Sequence, residues 1–175
     1  MIIIRSEHPP DAAAREALLD AAYGPVRLTK PSQRLRAGRD PALAFVAAER
    51  GRVVGTVRLW PVAAGSGGPA LLLGPLAVAP DCRRRGIGAA LMRRAIRAAR
   101  LAGHASVLLV GDAAYYGRFG FTAAKTGGLS IAGLSTPDRL LALELASGAL
   151  DGARGPVRAG MPRRRATERL VAQAA

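Results

Sequence analysis

Residues 71–102, LLLGPLAVAPDCRRRGIGAALMRRAIRAARLA, decide the fold of this 175-residue chain. They run without a break from a strand through an arginine- and glycine-rich loop into a helix. The segment 70–78 is almost continuously apolar, which is typical of a strand that is buried on both faces. Gly74-Pro75 interrupts this segment. Because proline cannot donate to a strand ladder, the pair predicts a bulge or a place where pairing to a neighbouring strand fails.

A helix is predicted over residues 87–102, directly after the loop. Apolar and charged residues alternate along it at helical spacing, which is typical of an amphipathic surface helix. The predicted buried stripe contains Leu91, Ala95, Ile96 and Ala99, and the solvent face contains Arg93, Arg94, Arg97 and Arg100. Gly103 ends the helix.

The loop between this strand and this helix contains Arg83-Arg84-Arg85-Gly86-Ile87-Gly88. Its glycines let the backbone turn tightly, so that several N–H groups point at one spot, and the helix start adds its positive dipole end. The run 86–91 lacks the third glycine of the dinucleotide fingerprint, and the chain has no Gly-Lys-Ser/Thr of a nucleotide P-loop. The sequence therefore predicts an anion cradle that suits a pyrophosphate.

The remaining sequence alternates strands with helices. The predicted strands are residues 2–4, 42–49, 52–62, 106–110 and 140–145. The predicted helices are residues 9–22 and a short segment, 113–118, for which Asp112 is the expected N-cap. A long loop with room for a short helix spans 23–41, and a flexible turn spans 63–69.

The length of the chain fits one domain, since domains usually hold about 100 to 200 residues. We expect residues 1–160 to form this domain and the basic segment 161–175 to be a loosely ordered tail. No uncharged apolar run reaches the roughly 18 residues of a membrane span, and the N-terminus lacks the pattern of a secretory signal. We therefore expect a cytoplasmic protein with no membrane partner.

The formal net charge is +14, and arginine carries almost all of it. Such charge indicates either an anionic ligand or partner, or a composition set by a GC-rich coding sequence. The second interpretation is favoured outside the central loop, because the other arginines are scattered and few aromatic residues are present to stack on bases. The single cysteine, Cys82, excludes an internal disulfide and a zinc site of several thiolates. No metal site is predicted, and Cys82 is expected to be a small packed residue.

Two motifs resemble those of the GNAT superfamily of N-acetyltransferases. Leu76-Ala77-Val78, Pro80 and Arg83-x-x-Gly86-x-Gly88 resemble its acetyl-CoA motif, and Gly111-Asp112 with Tyr115-Tyr116-Gly117-Arg118-Phe119-Gly120-Phe121 is similar to its second core motif. The double tyrosine and the stretch 141–155 are also similar to the YhbS-like subgroup. The resemblance, strongest over residues 71–121, implies an α/β (α+β) fold. Its mixed, mostly antiparallel sheet of about six or seven strands is expected to be flanked by helices and to splay between the two central strands.

The resemblance implies acetyl-CoA as the co-substrate. By position, backbone groups of the central strand would hold the pantetheine arm, and N–H groups of the loop and helix start would hold the pyrophosphate. One or more arginine side chains would meet the remaining phosphate. The cofactor-binding residues implied in this way are Leu76, Ala77, Val78, Arg83, Arg84, Arg85, Gly86, Ile87, Gly88 and Ala89.

The implied reaction is direct acetyl transfer to an amine. A neutral amine attacks the thioester carbonyl, a strand N–H near Ala77 steadies the oxyanion, and Tyr116 protonates the departing thiolate. The general base is unassigned, because Leu72 stands where some family members carry a glutamate. Glu49 and Asp112 are alternatives, although a helix cap is the favoured role for Asp112.

Two other functions are compatible with the sequence. One is a non-catalytic acetyl-CoA sensor, and the other, ranked lower, is a nucleic-acid-binding protein that uses the arginine triplets 83–85 and 163–165. The amine acceptor, a small molecule or a protein amine, is expected to bind among the loop 23–41, the hairpin near Trp60 and the segment after Phe121. The resemblance also leaves a homodimer open.

Overall fold

Eight strands form one sheet in the computed structural model, which describes residues 1–160. The strands are β1 Ile2–Ser6, β2 Leu43–Glu49, β3 Arg52–Ala64, β4 Pro69–Val78, β5 Ser106–Val110, β6 Leu129–Ser130, β7 Leu140–Glu144 and β8 Gly155–Ala159. The α-helices are α1 Ala12–Tyr23, α2 Ile87–Leu101 and α3 Ala113–Tyr116.

The strand order is β1-β2-β3-β4-β5-β7, with β8 against the far end of β3 and β6 against β8. All pairs are antiparallel except β4 with β5 and β6 with β8. The predicted mixed, mostly antiparallel sheet is therefore confirmed, with one strand more than the upper expected number.

Both faces of the sheet are covered. Side chains of β4 alternate between two buried clusters, as the period of two along a strand requires: Leu71 packs with α1 and α2, whereas Leu72 packs with β7 and β8 on the other face. The predicted stripe of α2 is buried except for the partly buried Ile96, and Met92, which the prediction omitted, is buried with it.

The central strands splay as predicted. β4 and β5 pair only at Leu71↔Val107 and Leu72↔Leu108, and the rest of β5 follows β7. Beyond the paired residues, β4 contains a bulge, since Gly74-Pro75 faces the single residue Arg58 of β3. The splay opens a cleft at the carboxyl half of β4.

The structure corrects several element boundaries. β3 continues to Ala64, past the predicted start of the turn at residue 63, because β8 pairs with its last residues. α3 ends at Tyr116 and continues as a 3-10 turn, Gly117–Phe119. The loop 23–41 contains two such turns, Pro25–Leu28 and Pro31–Leu35.

The predicted tail, 161–175, lies outside the described residues. Within residues 1–160, none of the helices has the length and apolar character of a membrane-crossing segment.

Candidate active site

The loop before α2 forms a cleft of about 450 Å³, which we call the loop cleft. Its lining residues are Val78, Cys82, Arg83, Arg84, Gly86, Ile87, Gly88, Ala89, Tyr115 and Arg118. Arg84 and Gly86 have positive φ angles of 60° and 77°, so the chain turns sharply twice before the helix begins. The first helical N–H groups, from Ile87 to Ala89, have no carbonyl within the helix to bind. The start of α2 thus has the free N–H groups that the predicted anion cradle requires, and anion binding itself stays a prediction.

The three arginines of this loop point in different directions. Arg83 and Arg84 line the loop cleft. Arg85 instead pairs with Glu49 at the end of β2, with Nη1–Oε2 and Nη2–Oε1 distances of 2.9 and 2.7 Å. Only the backbone of Arg85 therefore follows the turn of the loop. Its guanidinium instead connects the loop to β2.

Cys82 lies beneath the loop and is 1% exposed. The guanidinium groups of Arg52 and Arg85 donate to its sulfur at 3.5 and 3.4 Å. This agrees with the prediction of a packed residue.

The second cleft, here called the splay cleft, occupies about 330 Å³ where β4 and β5 separate. Its lining residues are Tyr23, Arg27, Lys30, Ser32, Leu73, Gly74, Pro75, Leu76, Val110, Gly111, Asp112, Tyr115, Tyr116 and Arg139. The predicted acceptor loop 23–41 contributes four of these residues. The indole of Trp60 supports the bulge from outside the lining, since its Nε1–H donates to the Gly74 carbonyl at 2.7 Å.

The backbone of β4 faces the splay cleft at alternate residues. Ala79 donates its N–H to the Val54 carbonyl of β3, and antiparallel strands alternate bonded with non-bonded pairs. Ala77, opposite Thr56, therefore directs its backbone groups to β3, whereas Leu76 and Val78 direct theirs away from it. The Tyr23 hydroxyl donates to the Leu76 carbonyl from the cleft side, which agrees with this alternation. Of the three predicted residues, Leu76 and Val78 direct backbone groups away from β3, and their contact with a ligand stays a prediction.

Tyr116 lines the splay cleft at the end of α3. Its ring contacts Tyr115 and Phe121 edge-on, with centroids 4.9 and 6.2 Å apart. A Cβ built on Gly111 would lie 2.3 Å from the Tyr116 ring, so only glycine leaves room for this ring position. Within residues 1–160, the Tyr116 hydroxyl makes no hydrogen bond.

Burial raises the pKa of Tyr116 well above the ordinary value of a tyrosine, and the neighbouring Tyr23 and Tyr115 add to the effect. The hydroxyl is consequently protonated across the neutral range, as a proton donor must be.

Tyr115 connects the two clefts, because it lines both of them. Its hydroxyl would lie 3.1 Å from a Cβ on Gly88, so the start of α2 approaches α3 closely. The guanidinium of Arg118 lies 4.7 Å from the centroid of the Tyr115 ring. A single elongated ligand that occupied both clefts would pass this tyrosine.

The candidate bases occupy different places. Glu49 pairs with Arg85 and lines a separate surface cleft with Arg50 and Arg52. Asp112 lines the splay cleft, and its Oδ1 accepts from the Ala114 N–H at 3.0 Å, as expected of the cap of α3. Leu72 is 1% exposed and lies on the face of the sheet that packs with β7 and β8.

The family profile named Acetyltransferase (GNAT) domain matches residues 40–123 of the chain. The uncharacterized N-acetyltransferase YhbS of Escherichia coli K12 is 32% identical over 158 residues, which are 89% of this chain and 95% of that protein. The chain belongs to the GNAT family of N-acetyltransferases. Another relative, the uncharacterized N-acetyltransferase YjhQ of Escherichia coli K12, is 39% identical over 85 residues, which are 46% of each chain.

Two solved GNAT structures agree with this assignment. Escherichia coli YhbS, crystallised in complex with CoA, superposes with a TM-score of 0.78 and 31% identity, covering 90% of this chain and 89% of that one. A GNAT acetyltransferase from Brucella melitensis, in complex with acetyl-CoA, gives a TM-score of 0.70 and 30% identity, covering 90% and 95%. Within the described part of the GNAT chain, no three metal-ligating side chains come together.

Proposed function

We propose that this GNAT N-acetyltransferase binds acetyl-CoA and transfers its acetyl group directly to a neutral primary amine. The observation that carries the proposal is that two clefts of different chemistry lie side by side and share Tyr115. The loop cleft offers N–H groups and arginines to an anion, and the splay cleft offers strand backbone and a tyrosine hydroxyl. The complexes of the two relatives with CoA and acetyl-CoA support this interpretation.

The loop cleft fits a pyrophosphate. The N–H groups from Ile87 to Ala89 would donate to its oxygens at the positive end of α2. Arg83 and Arg84 line the same cleft and would pair with phosphate charge. Arg85 would contribute its N–H alone, because its side chain is paired with Glu49.

The pantetheine arm would lie along the edge of β4 that faces away from β3, in the splay cleft. Leu76 and Val78 direct backbone groups to that edge, and within the described residues no strand pairs with β4 there. An amide-containing chain can use such groups as a further strand would. We propose that the same N–H groups, rather than that of Ala77, steady the oxyanion, since Ala77 faces β3.

Acetyl-CoA supplies an activated acetyl thioester. During transfer the C–N bond forms, the C–S bond breaks, and the amine loses one proton to solvent. Tyr116 would give its hydroxyl proton to the leaving sulfur and regain one from solvent. Its position on the splay cleft supports this role, and its raised pKa keeps the hydroxyl protonated at neutral pH. No base is assigned, and Asp112 is proposed only as the cap of α3.

Titration calorimetry with acetyl-CoA tests the binding half of the proposal. Gly86→Glu places a carboxylate at the cradle, and Gly103→Glu is its matched control at the other end of α2. Both glycines have similar positive φ angles, 77° and 73°, and a Cβ on either would meet nothing within 4 Å. The control carries the larger helix penalty, since a negative charge is unfavourable near a helix C-terminus.

We expect wild type and Gly103→Glu to bind acetyl-CoA, and Gly86→Glu to lose at least about tenfold in affinity. Equal binding by all three proteins would place the pyrophosphate elsewhere. Binding without turnover of any amine would instead identify a non-catalytic sensor.

A further inference from the structure

We propose that the acceptor of this enzyme is a small primary amine that also carries a carboxylate, held by Lys30 and Arg139 at the rim of the splay cleft. The inference rests on the proposed function, because it assigns the acceptor of the same site. The charges that line the splay cleft carry the argument.

Two cations of the splay cleft have no carboxylate partner among residues 1–160. Lys30 is exposed, and its Nζ lies 4.7 Å from the centroid of the Tyr23 ring. Arg139 is also exposed and makes one long hydrogen bond, from Nε to the Gly111 carbonyl at 3.4 Å. Neither forms an ion pair within residues 1–160. By contrast, Arg27, which also lines the splay cleft, is neutralised by Glu16 and Asp20, at 2.6 and 2.7 Å.

Behind the cleft wall lies Arg36, another cation that has no carboxylate partner in the described part of the chain. It is 8% exposed, and within residues 1–160 its guanidinium donates to the carbonyl and the hydroxyl of Ser32, at 3.2 and 3.3 Å. Its Nη1 lies 3.9 Å from the place of a Cβ on Gly74, next to the bulge. Burial lowers its pKa to about 10. A buried cation without a counter-ion is unfavourable, and an anion at the Ser32 wall would reduce that cost.

The cofactor does not account for these cations. The charges of acetyl-CoA are its phosphates, which the loop cleft accommodates at the start of α2. The pantetheine arm that would occupy the splay cleft is neutral. The single carboxylate that residues 1–160 contribute to the lining, Asp112, is engaged in capping α3. The positive charge of the cleft is therefore available to the acceptor.

The same charges suit the chemistry of the amine. Nearby cations disfavour an ammonium group and lower its pKa, so the amine would enter the cleft more readily in its neutral, nucleophilic form. A carboxylate on the same molecule supplies the attraction that a neutral amine lacks. An acceptor with several positive charges would be repelled.

Matched acceptor pairs test the inference. Each pair would be an amino acid and its primary amide: L-alanine with L-alaninamide, β-alanine with β-alaninamide, and 4-aminobutanoate with 4-aminobutanamide. Release of the CoA thiol would be followed at fixed pH. Because an amino amide holds its ammonium proton less tightly, more of its amine is neutral, and this bias acts against the inference. We expect kcat/KM to favour the acid by at least about tenfold in the best pair.

A charge-reversal variant provides the second test of the inference. The double variant Lys30→Glu, Arg139→Glu should invert the preference so that the amide is the better acceptor, while the Kd for acetyl-CoA stays within about twofold of wild type. Arg34→Glu is the matched control, since Arg34 is exposed on the same loop as Lys30 and does not line the cleft. It should keep the wild-type preference.

The outcomes separate the two proposals. Equal or better use of the amides by wild type, or no turnover of any acid by a protein that binds acetyl-CoA, would overturn the acceptor inference alone. Turnover only of peptide amines would also overturn it and move the acceptor to a protein. Failure of the wild type to bind acetyl-CoA would overturn the proposed function itself.

Discussion

Tyr116 combines three properties that suit a proton donor. Its ring is fixed by Tyr115, Phe121 and Gly111, it lines the splay cleft, and burial raises its pKa so that the hydroxyl stays protonated at neutral pH. Tyr116→Phe keeps the ring and removes the proton. We expect kcat to fall by about 100- to 10,000-fold, with the Kd for acetyl-CoA within about twofold of wild type. Steady-state assay and calorimetry would measure the two quantities. An unchanged kcat would contradict the assignment.

The pH dependence of kcat follows from the same tyrosine. A hydroxyl can donate only while it is protonated, so activity that depends on Tyr116 is lost as the pH rises through its pKa. Because burial raises that pKa above the ordinary value, we expect no alkaline limb in kcat below about pH 10. A pH–rate profile up to that point would show this. A decline beginning near pH 8 would assign proton donation to another group.

Gly111 controls where the Tyr116 ring can lie. A methyl group at this position would approach two ring carbons to 2.3 and 2.7 Å, so Gly111→Ala must displace the ring. We expect kcat to fall by at least about tenfold, since small misplacements of reacting groups are costly. Gly127→Ala is the control, because a Cβ there meets nothing within 4 Å. If both variants had wild-type kcat, the ring position would not matter for turnover.

At the scale of single residues, the sequence predicts backbone-based features better than side-chain directions. Gly86 and the start of α2 are placed correctly because a strand, a glycine loop and a helix follow one another locally. The pairing of Arg85 with Glu49, by contrast, depends on the end of β2. Neither Tyr23 at the Leu76 carbonyl nor Arg36 beside Gly74 has a sequence signal, because the loop 23–41 has no periodicity.

At the scale of elements, α2 is placed by its close approach to β3. A Cβ on Gly55 of β3 would lie 2.9 Å from Leu91 and 3.0 Å from Ile87. We expect Gly55→Ala to lower the free energy of unfolding by about 1–3 kcal/mol through overpacking, as measured by urea denaturation. Gly127→Ala again serves as the control. Equal stability of both variants would mean that α2 shifts without strain.

Elements with a strong hydrophobic pattern are predictable from the sequence, and those without one are not. β4 and α2 follow from an apolar run and an amphipathic stripe, and both agree closely with the structure. β6 has two residues and β8 contains Pro156 and Arg158, so neither carries a strand pattern. These strands exist because β3 and β8 pair at long range, and such pairing overrides local propensity.

At the scale of the whole molecule, β8 closes the face of the sheet opposite α1 and α2. Val157 is buried there with Leu72, Leu129 and Leu150. The Gly160 N–H donates to the Pro61 carbonyl at 2.9 Å, so contacts with β3 continue to the last described residue. The proposed single domain, 1–160, would therefore need its last six residues.

Two shortened chains test this domain boundary. We expect a chain that ends at residue 160 to have a free energy of unfolding within about 0.5 kcal/mol of that of the 175-residue chain. We also expect it to bind acetyl-CoA with the same Kd. A chain that ends at residue 154 loses β8, exposes the end of β3 and opens the cluster around Val157. Burial of one valine side chain alone contributes about 1.5–3 kcal/mol, so we expect the shorter chain to lose at least about 2 kcal/mol. Urea denaturation and calorimetry would compare the three proteins. If the 160-residue chain were as unstable as the 154-residue chain, residues 161–175 would belong to the folded domain, because the strands of 1–160 would then be insufficient to close the sheet.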